Sequence, residues 1–193
     1  MNRVITISRE FGSGGRTIGK EVAERLGIPC YDQELIEKIE EKSGLTKEFI
    51  AEHGEYTKRG GWLANAFADR SISGLSVQDY IWTIQRQTIL ELAEQSPCVI
   101  IGRCADYILQ GKADMLKVFI HASIEARSKR IIEKYGQSEE APEKRLRDKD
   151  IRRSAYYHFY TDVEWGICKN YDIALDSGVI GIDRCVDIIA SLF

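Results

Sequence analysis

Apolar positions along the chain alternate between short β-branched runs and runs with helical spacing. Strand-like runs lie at residues 4–7, 28–31, 98–101, 116–120 and 172–175. Between them, apolar residues recur every three or four positions, as at Ile18, Val22 and Leu26, which is typical of amphipathic helices. Strands that alternate with helices predict a parallel sheet of five strands, covered by helices in a three-layer α/β/α fold.

Three helices can be placed along the chain from Ser76 onwards. Ser76 and Asp79 form a capping-box pattern ahead of a long apolar-faced segment, which predicts a helix from this point. A second helix is predicted after Ser123, and a last one near residues 182–192. Residues 55–76, with several glycines around Trp62, fit either a mobile insertion over a substrate site or an irregular link between helices.

The turn between the first strand and the first helix contains three glycines, in the sequence EFGSGGRT at residues 10–17. Glycines let backbone N–H groups crowd around an anion, and the positive end of the following helix attracts it. The common phosphate-loop pattern ends in Gly-Lys-Ser/Thr, and here those places hold Gly15, Arg16 and Thr17. Glu10 stands at the place of the first glycine of the pattern. We predict phosphate binding by the residues Gly12, Ser13, Gly14, Gly15, Arg16 and Thr17, with the Thr17 hydroxyl as a ligand of Mg²⁺.

Two other interpretations of this turn carry less weight. A register that runs from Gly14 to Gly19 and Lys20 would interrupt the apolar stripe, which requires helix at Ile18. A purely structural tight turn is common, but the position after the first strand of an α/β fold favours phosphate binding.

Two further features indicate contacts with anions. Arg103 directly follows the strand at 98–101, at the sheet edge where ligands bind in α/β folds, although it could also be a surface arginine paired with Asp106. The basic run at 144–153 is either a solvated helix face or a movable lid that brings arginines to a phosphoryl group.

Asp32, after the second strand, either caps a helix at 33–39 or contacts a nucleotide, and one residue can do both.

Composition narrows the class of protein. The chain has 193 residues, 44% hydrophobic and 30% charged, which fits a single globular domain over residues 1–193. A net charge of −3 gives no general attraction to nucleic acid or to anionic membranes, so we expect neither as a partner, and the oligomeric state stays open. No apolar run has the length of a signal core or a membrane span, so a cytoplasmic location is expected.

The five cysteines are widely spaced without a CxxC pair, which argues against a disulfide framework or a zinc site. The three histidines are isolated in sequence and are assigned no catalytic role.

The motifs together resemble those of the cytidylate kinase-like family of P-loop proteins, over essentially the whole chain. The matching stretches are ISREFGSGGR (7–16), PCYD (29–32), ELI (34–36), VIIGRCAD (99–106) and YD (171–172). The resemblance implies a nucleoside monophosphate kinase fold with sheet order 2-3-1-4-5. It also implies a substrate-binding helical region at about 32–95 and a lid at about 136–160.

The resemblance also implies roles for individual residues. Residues 12–17 would hold the phosphates of ATP, and Thr17 would help to bind Mg²⁺. Asp32 and Arg103 would face the monophosphate, whereas Arg147, Asp150 and Arg153 would belong to the lid, with Asp150 and Arg153 also contacting the substrate.

The expected activity is ATP- and Mg²⁺-dependent phosphoryl transfer to CMP or dCMP, with Arg16, Arg147 and Arg153 as catalytic residues. Two alternatives are a nucleotide-binding regulator without turnover and a kinase of this fold with a non-nucleotide acceptor.

Overall fold

The computed structural model describes residues 3–55, 70–72 and 75–193. Five parallel strands form the central sheet: β1 Arg3–Arg9, β2 Cys30–Tyr31, β5 Cys98–Ile101, β6 Asp114–His121 and β7 Ile173–Asp176. Their spatial order is β2-β5-β1-β6-β7, which is 2-3-1-4-5 when these five are counted along the chain, so the predicted order is confirmed. Two short antiparallel strands, β3 Arg70–Ile72 and β4 Leu75–Ser76, pair separately. Most of the 55–76 segment, whose role the sequence left open, lies outside the described residues.

Helices connect the strands along the chain. They are α1 Gly15–Leu26, α2 Gln33–Ser43, α3 Lys47–His53, α4 Val77–Gln95, α5 Ala105–Ile108, α6 Ile124–Tyr135, α7 Pro142–Thr161, α8 Ser177–Ile180 and α9 Ile182–Ser191. A 3₁₀ turn at Cys168–Asn170 precedes β7. Within the described ranges, no helix has both the length and the apolar composition that a bilayer crossing requires.

The core has two halves, one on each face of the sheet, because successive side chains of a strand point to opposite faces. On one face, Ile5 and Ile7 of β1 pack with α1 and α9 in a fully buried cluster. On the other face, Val4 of β1 and Ile100 of β5 pack with α2, α4 and α7. The predicted three-layer α/β/α architecture is therefore confirmed.

The predicted helix starts are present. The Ser76 hydroxyl accepts the N–H of Asp79 at 3.1 Å, and the Ser123 hydroxyl accepts the N–H of Ala126 at 3.2 Å. Asp32 occupies the N-cap position of α2, but its side chain makes no capping hydrogen bond. The cap interpretation of Asp32 is therefore wrong, because its carboxylate is turned towards Arg16 instead.

The basic run lies on α7, a continuous helix that spans most of the predicted lid. Leu146 and Tyr156 of this helix are buried, at 0% and 1% exposure, while Arg147 is exposed. The helix is thus attached to the core on both sides of its most basic stretch, and a moving lid stays a prediction.

Candidate phosphate-transfer site

The turn after β1 forms a loop whose backbone is open to an anion. Gly14 precedes α1 with a φ of 83°, a left-handed conformation that favours glycine, and it has no side chain with which to cap the helix. The first helical hydrogen bond is donated by Ile18 to the Gly14 carbonyl, at 3.0 Å. The N–H groups of Gly15, Arg16 and Thr17 therefore have no partner within the helix and are suited to phosphate oxygens.

Side chains from distant elements hold the outer side of this loop. The Phe11 N–H donates to Asp150 Oδ1 at 2.7 Å, and Arg127 Nη1 donates to Asp150 Oδ2 at 2.5 Å and to the Phe11 carbonyl at 3.2 Å. The hydroxyl of Ser177 donates to the Ser13 carbonyl at 2.5 Å. Asp150, a predicted substrate ligand, thus lies against the loop backbone. Its present contacts are those of a residue that fixes the loop.

Glu10, which stands at the place of the first glycine of the loop pattern, has partners for its carboxylate. Its carboxylate accepts the N–H of Ala122 at 3.2 Å and lies 3.3 Å from Arg127 Nε. Burial raises the pKa of Glu10, and the Arg127 guanidinium opposes that rise. These contacts hold the carboxylate at the end of β6.

Arg16 and Asp32 are brought together by the fold. Arg16 Nε lies 3.0 and 3.2 Å from the two carboxylate oxygens of Asp32, which joins the start of α1 to the start of α2. The Asp32 side chain is 6% exposed, whereas that of Arg16 is 46% exposed. Asp32 therefore orients Arg16 through one edge of its guanidinium while much of the side chain remains accessible.

A buried group of four charged residues lies beside the loop, at the carboxyl edge of β1 and β5. This arginine cluster consists of Arg9, Arg103, Arg153 and Glu55, each between 4% and 5% exposed. Both terminal nitrogens of Arg9 contact the Glu55 carboxylate, with Nη2 at 3.1 Å from Oε2. Arg153 Nη2 lies 3.6 Å from the same Oε2, and its Nη1 donates to the Arg9 carbonyl at 2.8 Å. The predicted Arg153 is thus in the interior of the site.

Hydrogen bonds to neighbouring polar groups hold Arg103 in the cluster. Its Nη1 donates to the Ile50 carbonyl at 3.3 Å and to Gln85 Oε1 at 3.2 Å. Asp106, the alternative partner for Arg103, accepts the Tyr157 hydroxyl at 2.8 Å. The interpretation of Arg103 as a surface arginine is therefore wrong.

Glu55 is ionised at neutral pH despite its burial. Burial acts to raise the pKa of Glu55, but the guanidinium groups of Arg9, Arg153 and Arg103 outweigh it and hold that pKa well below its usual range. Three guanidinium groups thus act on one carboxylate within the cluster, and Asp150 lies 3.8 Å from Arg153 Nη1.

Two cavities meet at the loop. The smaller one, of about 130 Å³, lies over the glycines and Thr17 and is also lined by Arg130 and Lys134 of α6. The larger one, of about 570 Å³, is lined by Arg103 and Glu55 and shares Phe11, Arg16 and Tyr135 with the smaller one. Its other charged lining residues are Glu48, Arg145, Lys149 and Arg152. Basic residues outnumber acidic ones around this larger cavity, which suits an anionic ligand.

The sequence interpretation missed several of these residues. Arg145, Lys149 and Arg152 lie on one face of α7 and line the larger cavity, whereas the predicted Arg147 is exposed and belongs to neither lining. A helical spacing of four and then three positions would have separated the two faces. No local signal pointed to Glu55, which is charged and lies near the end of a short helix.

No preformed metal centre accompanies the loop. Within residues 3–55, 70–72 and 75–193, no three His, Cys, Asp or Glu side chains are grouped so that they could hold a metal ion. Thr17 lines the smaller cavity and offers one hydroxyl. This donor set fits a cation that shares its ligands with a bound phosphate chain.

A five-stranded parallel sheet in this order, with a glycine loop after the first strand and cationic cavities at the strand ends, defines a P-loop kinase fold. The chain belongs to the cytidylate kinase-like family, whose model matches residues 4–179.

Individual relatives agree with this assignment. The chain is 31% identical over 191 residues to a protein of Archaeoglobus fulgidus named cytidylate kinase, a match that covers 96% of this chain and 91% of the relative. A crystal structure of an uncharacterized protein from Eubacterium ventriosum is 27% identical, with a TM-score of 0.74 over 99% of this chain and 98% of that one. A shikimate kinase from Bacteroides thetaiotaomicron, 17% identical with a TM-score of 0.57 over 99% of this chain and 97% of that one, shares the fold.

Proposed function

We propose that this protein transfers the γ-phosphoryl group of ATP to a nucleoside monophosphate, with CMP or dCMP as the acceptor, in the cytoplasm. The observation that carries the proposal is the meeting of two anion-suited cavities at Arg16. One cavity is lined by the loop residues and by Arg9 and Arg153, and the other by Arg103 and Glu55, so the arginine cluster borders both. A donor phosphate chain and an acceptor phosphate could therefore approach each other across this side chain.

The donor half of the proposed site is the loop cavity. Residues 12–17 would receive the phosphate chain through their backbone, and Arg130 and Lys134 would cover it from α6. When bound, Mg²⁺ neutralises charge on the phosphate oxygens, and the Thr17 hydroxyl is the protein ligand that the loop offers it. Arg16, held by Asp32, would contact the transferring group.

The acceptor half is the larger cavity. Arg103, which lines this cavity, would face the acceptor phosphate, and Arg153 would approach it from the loop cavity beside Glu55. The arginines and lysine of α7 would take the role expected of Arg147. A phosphate acceptor is already ionised near neutral pH, so the reaction requires alignment and charge stabilisation more than a general base. The abundance of guanidinium groups around the cavity agrees with this requirement.

The test is ADP production with ATP, Mg²⁺ and a panel of nucleoside monophosphates. Saturable turnover that is fastest with CMP or dCMP is the expected result, and preference for another nucleotide would contradict the proposed base selectivity. Tight ATP binding with no turnover on any acceptor would favour a nucleotide-binding regulator instead.

A further inference from the structure

Glu55 lies where an anionic ligand of the larger cavity would be expected. Its carboxylate takes both terminal nitrogens of Arg9 and is close to Arg153, and the residue lines the same cavity as Arg103 and Arg16. The two-pronged contact with Arg9 is the geometry by which arginine binds either a carboxylate or a phosphate. An internal carboxylate thus occupies a position that is complementary to a phosphate.

The observed arrangement of the cluster depends on two glycines. A Cβ atom at Gly102 would overlap both the Arg9 guanidinium and the Glu55 carboxylate, and one at Gly54 would overlap the Arg103 guanidinium. Glycine at these two positions lets the charged groups lie directly on the chain. The cluster is therefore a constructed pocket for one anionic group, which in this structure is the Glu55 carboxylate.

We propose that Glu55 occupies the acceptor-phosphate position in the free protein, and that only an acceptor carrying a phosphate monoester displaces it. This inference rests on the proposed function for the identity of the acceptor, but the anion position itself does not require turnover. Glu55 is then the residue that selects phosphorylated acceptors over carboxylate acceptors.

The selectivity follows from competition with a tethered group. A side chain fixed to the protein competes at an effective concentration of roughly millimolar or above, without loss of translational freedom. A carboxylate acceptor has the same single charge as Glu55, so its replacement of Glu55 brings no additional attraction to the arginines. A phosphate monoester brings a charge of about −1.5 to −2 and three acceptor oxygens, which suits three guanidinium groups.

The decisive experiment measures thermal unfolding of the full chain against inorganic phosphate and, separately, against acetate at matched ionic strength. The proteins are the wild type, Glu55→Gln and the control Glu41→Gln, which removes the same charge from an exposed position on α2 outside both cavity linings. For Glu55→Gln we expect a half-saturating phosphate concentration about tenfold lower than for the wild type, and a stabilisation by acetate that the wild type lacks. Glu41→Gln should respond as the wild type does. The phosphate loop is the same in all three proteins, so its own binding cancels in the comparison.

Equal phosphate responses of Glu55→Gln and the wild type would overturn the proposal. If Glu55→Gln does not fold, Glu55→Asp serves in its place, because it keeps the charge but withdraws the carboxylate by one methylene. Glu55→Asp should then show a lower half-saturating phosphate concentration than the wild type, and wild-type behaviour would refute the inference.

Kinetics separate this inference from the proposed function. A lower KM for the acceptor in Glu55→Gln supports displacement, whereas a higher KM would mean that Glu55 only supports the arginines. If no acceptor is turned over but the phosphate responses differ as expected, the proposed function fails and the anion position stands.

Discussion

Replacement of Arg16 by alanine tests the centre of the proposed site. Arg16 is a charged side chain that lines both cavities, so its loss removes positive charge from the point where phosphoryl transfer would occur. Loss of one such donor to developing charge typically lowers kcat by about 10²–10³, or roughly 2.7–4 kcal/mol of transition-state stabilisation. Folding stability should fall as well, by about 1–3 kcal/mol, because Asp32 is 6% exposed and its carboxylate loses the Arg16 partner.

The matched control is Arg25→Ala on the same helix. Arg25 is 48% exposed and pairs with Asp187, which is 47% exposed, so its loss removes an ion pair far along α1 from the loop without leaving a buried carboxylate. Arg25→Ala should unfold within about 2–4 °C of the wild type, the shift that 1 kcal/mol produces in a chain of this length, and Arg16→Ala should unfold at a lower temperature than Arg25→Ala. Initial rates of ADP release should fall only for Arg16→Ala, and the stabilisation of the protein by ATP should fall with them. Equal rates and equal ATP stabilisation in the two variants would refute the role of Arg16.

Two further predictions concern the arginine cluster. Gly102→Ala and Gly111→Ala both place a side chain at a left-handed backbone position, with φ of 72° and 69°, but only at Gly102 does the added Cβ meet other atoms. Denaturant unfolding should therefore show Gly102→Ala to be less stable than Gly111→Ala by about 1–3 kcal/mol, and equal losses would contradict the packing described for the cluster. The second prediction follows from the lowered pKa of Glu55. A carboxyl group whose pKa is lower in the folded state stabilises the protein at pH values above its unfolded pKa, and this contribution is lost as the pH falls. Wild-type thermal stability should hence decline more steeply than that of Glu55→Gln on acidification below about pH 4.5, and parallel curves would show that Glu55 is not held ionised by the arginines.

Local patterns were sufficient for the central sheet and for the loop. The strand at 98–101 and the helix starts at Ser76 and Ser123 agree with the structure because each depends on residues within a few positions. The contact of the Asp32 side chain could not be predicted from its local sequence. Asp32 occupies the expected cap position, yet a guanidinium sixteen residues earlier in the chain competes successfully for its carboxylate.

The basic run illustrates the same limit in the site. Its charges were evident from the sequence, but the choice of residues was not, since Arg153 is buried on Glu55 while Arg147 faces away from both cavities. Which face of α7 meets the site depends on how the helix packs against the sheet. A list of charged residues does not contain that information.

The sequence by itself determined the alternation of strands and helices and the phosphate-suited loop between the first of each, because apolar periodicity and glycine conformation act over short distances. Only the tertiary structure decided the arginine cluster. Arg9 and Glu55 are 46 positions apart, and Arg153 donates to Arg9 across 144 positions. These partners meet because the end of β1, the residues after α3 and the helix α7 are brought together, and that arrangement arises only when the whole domain is assembled.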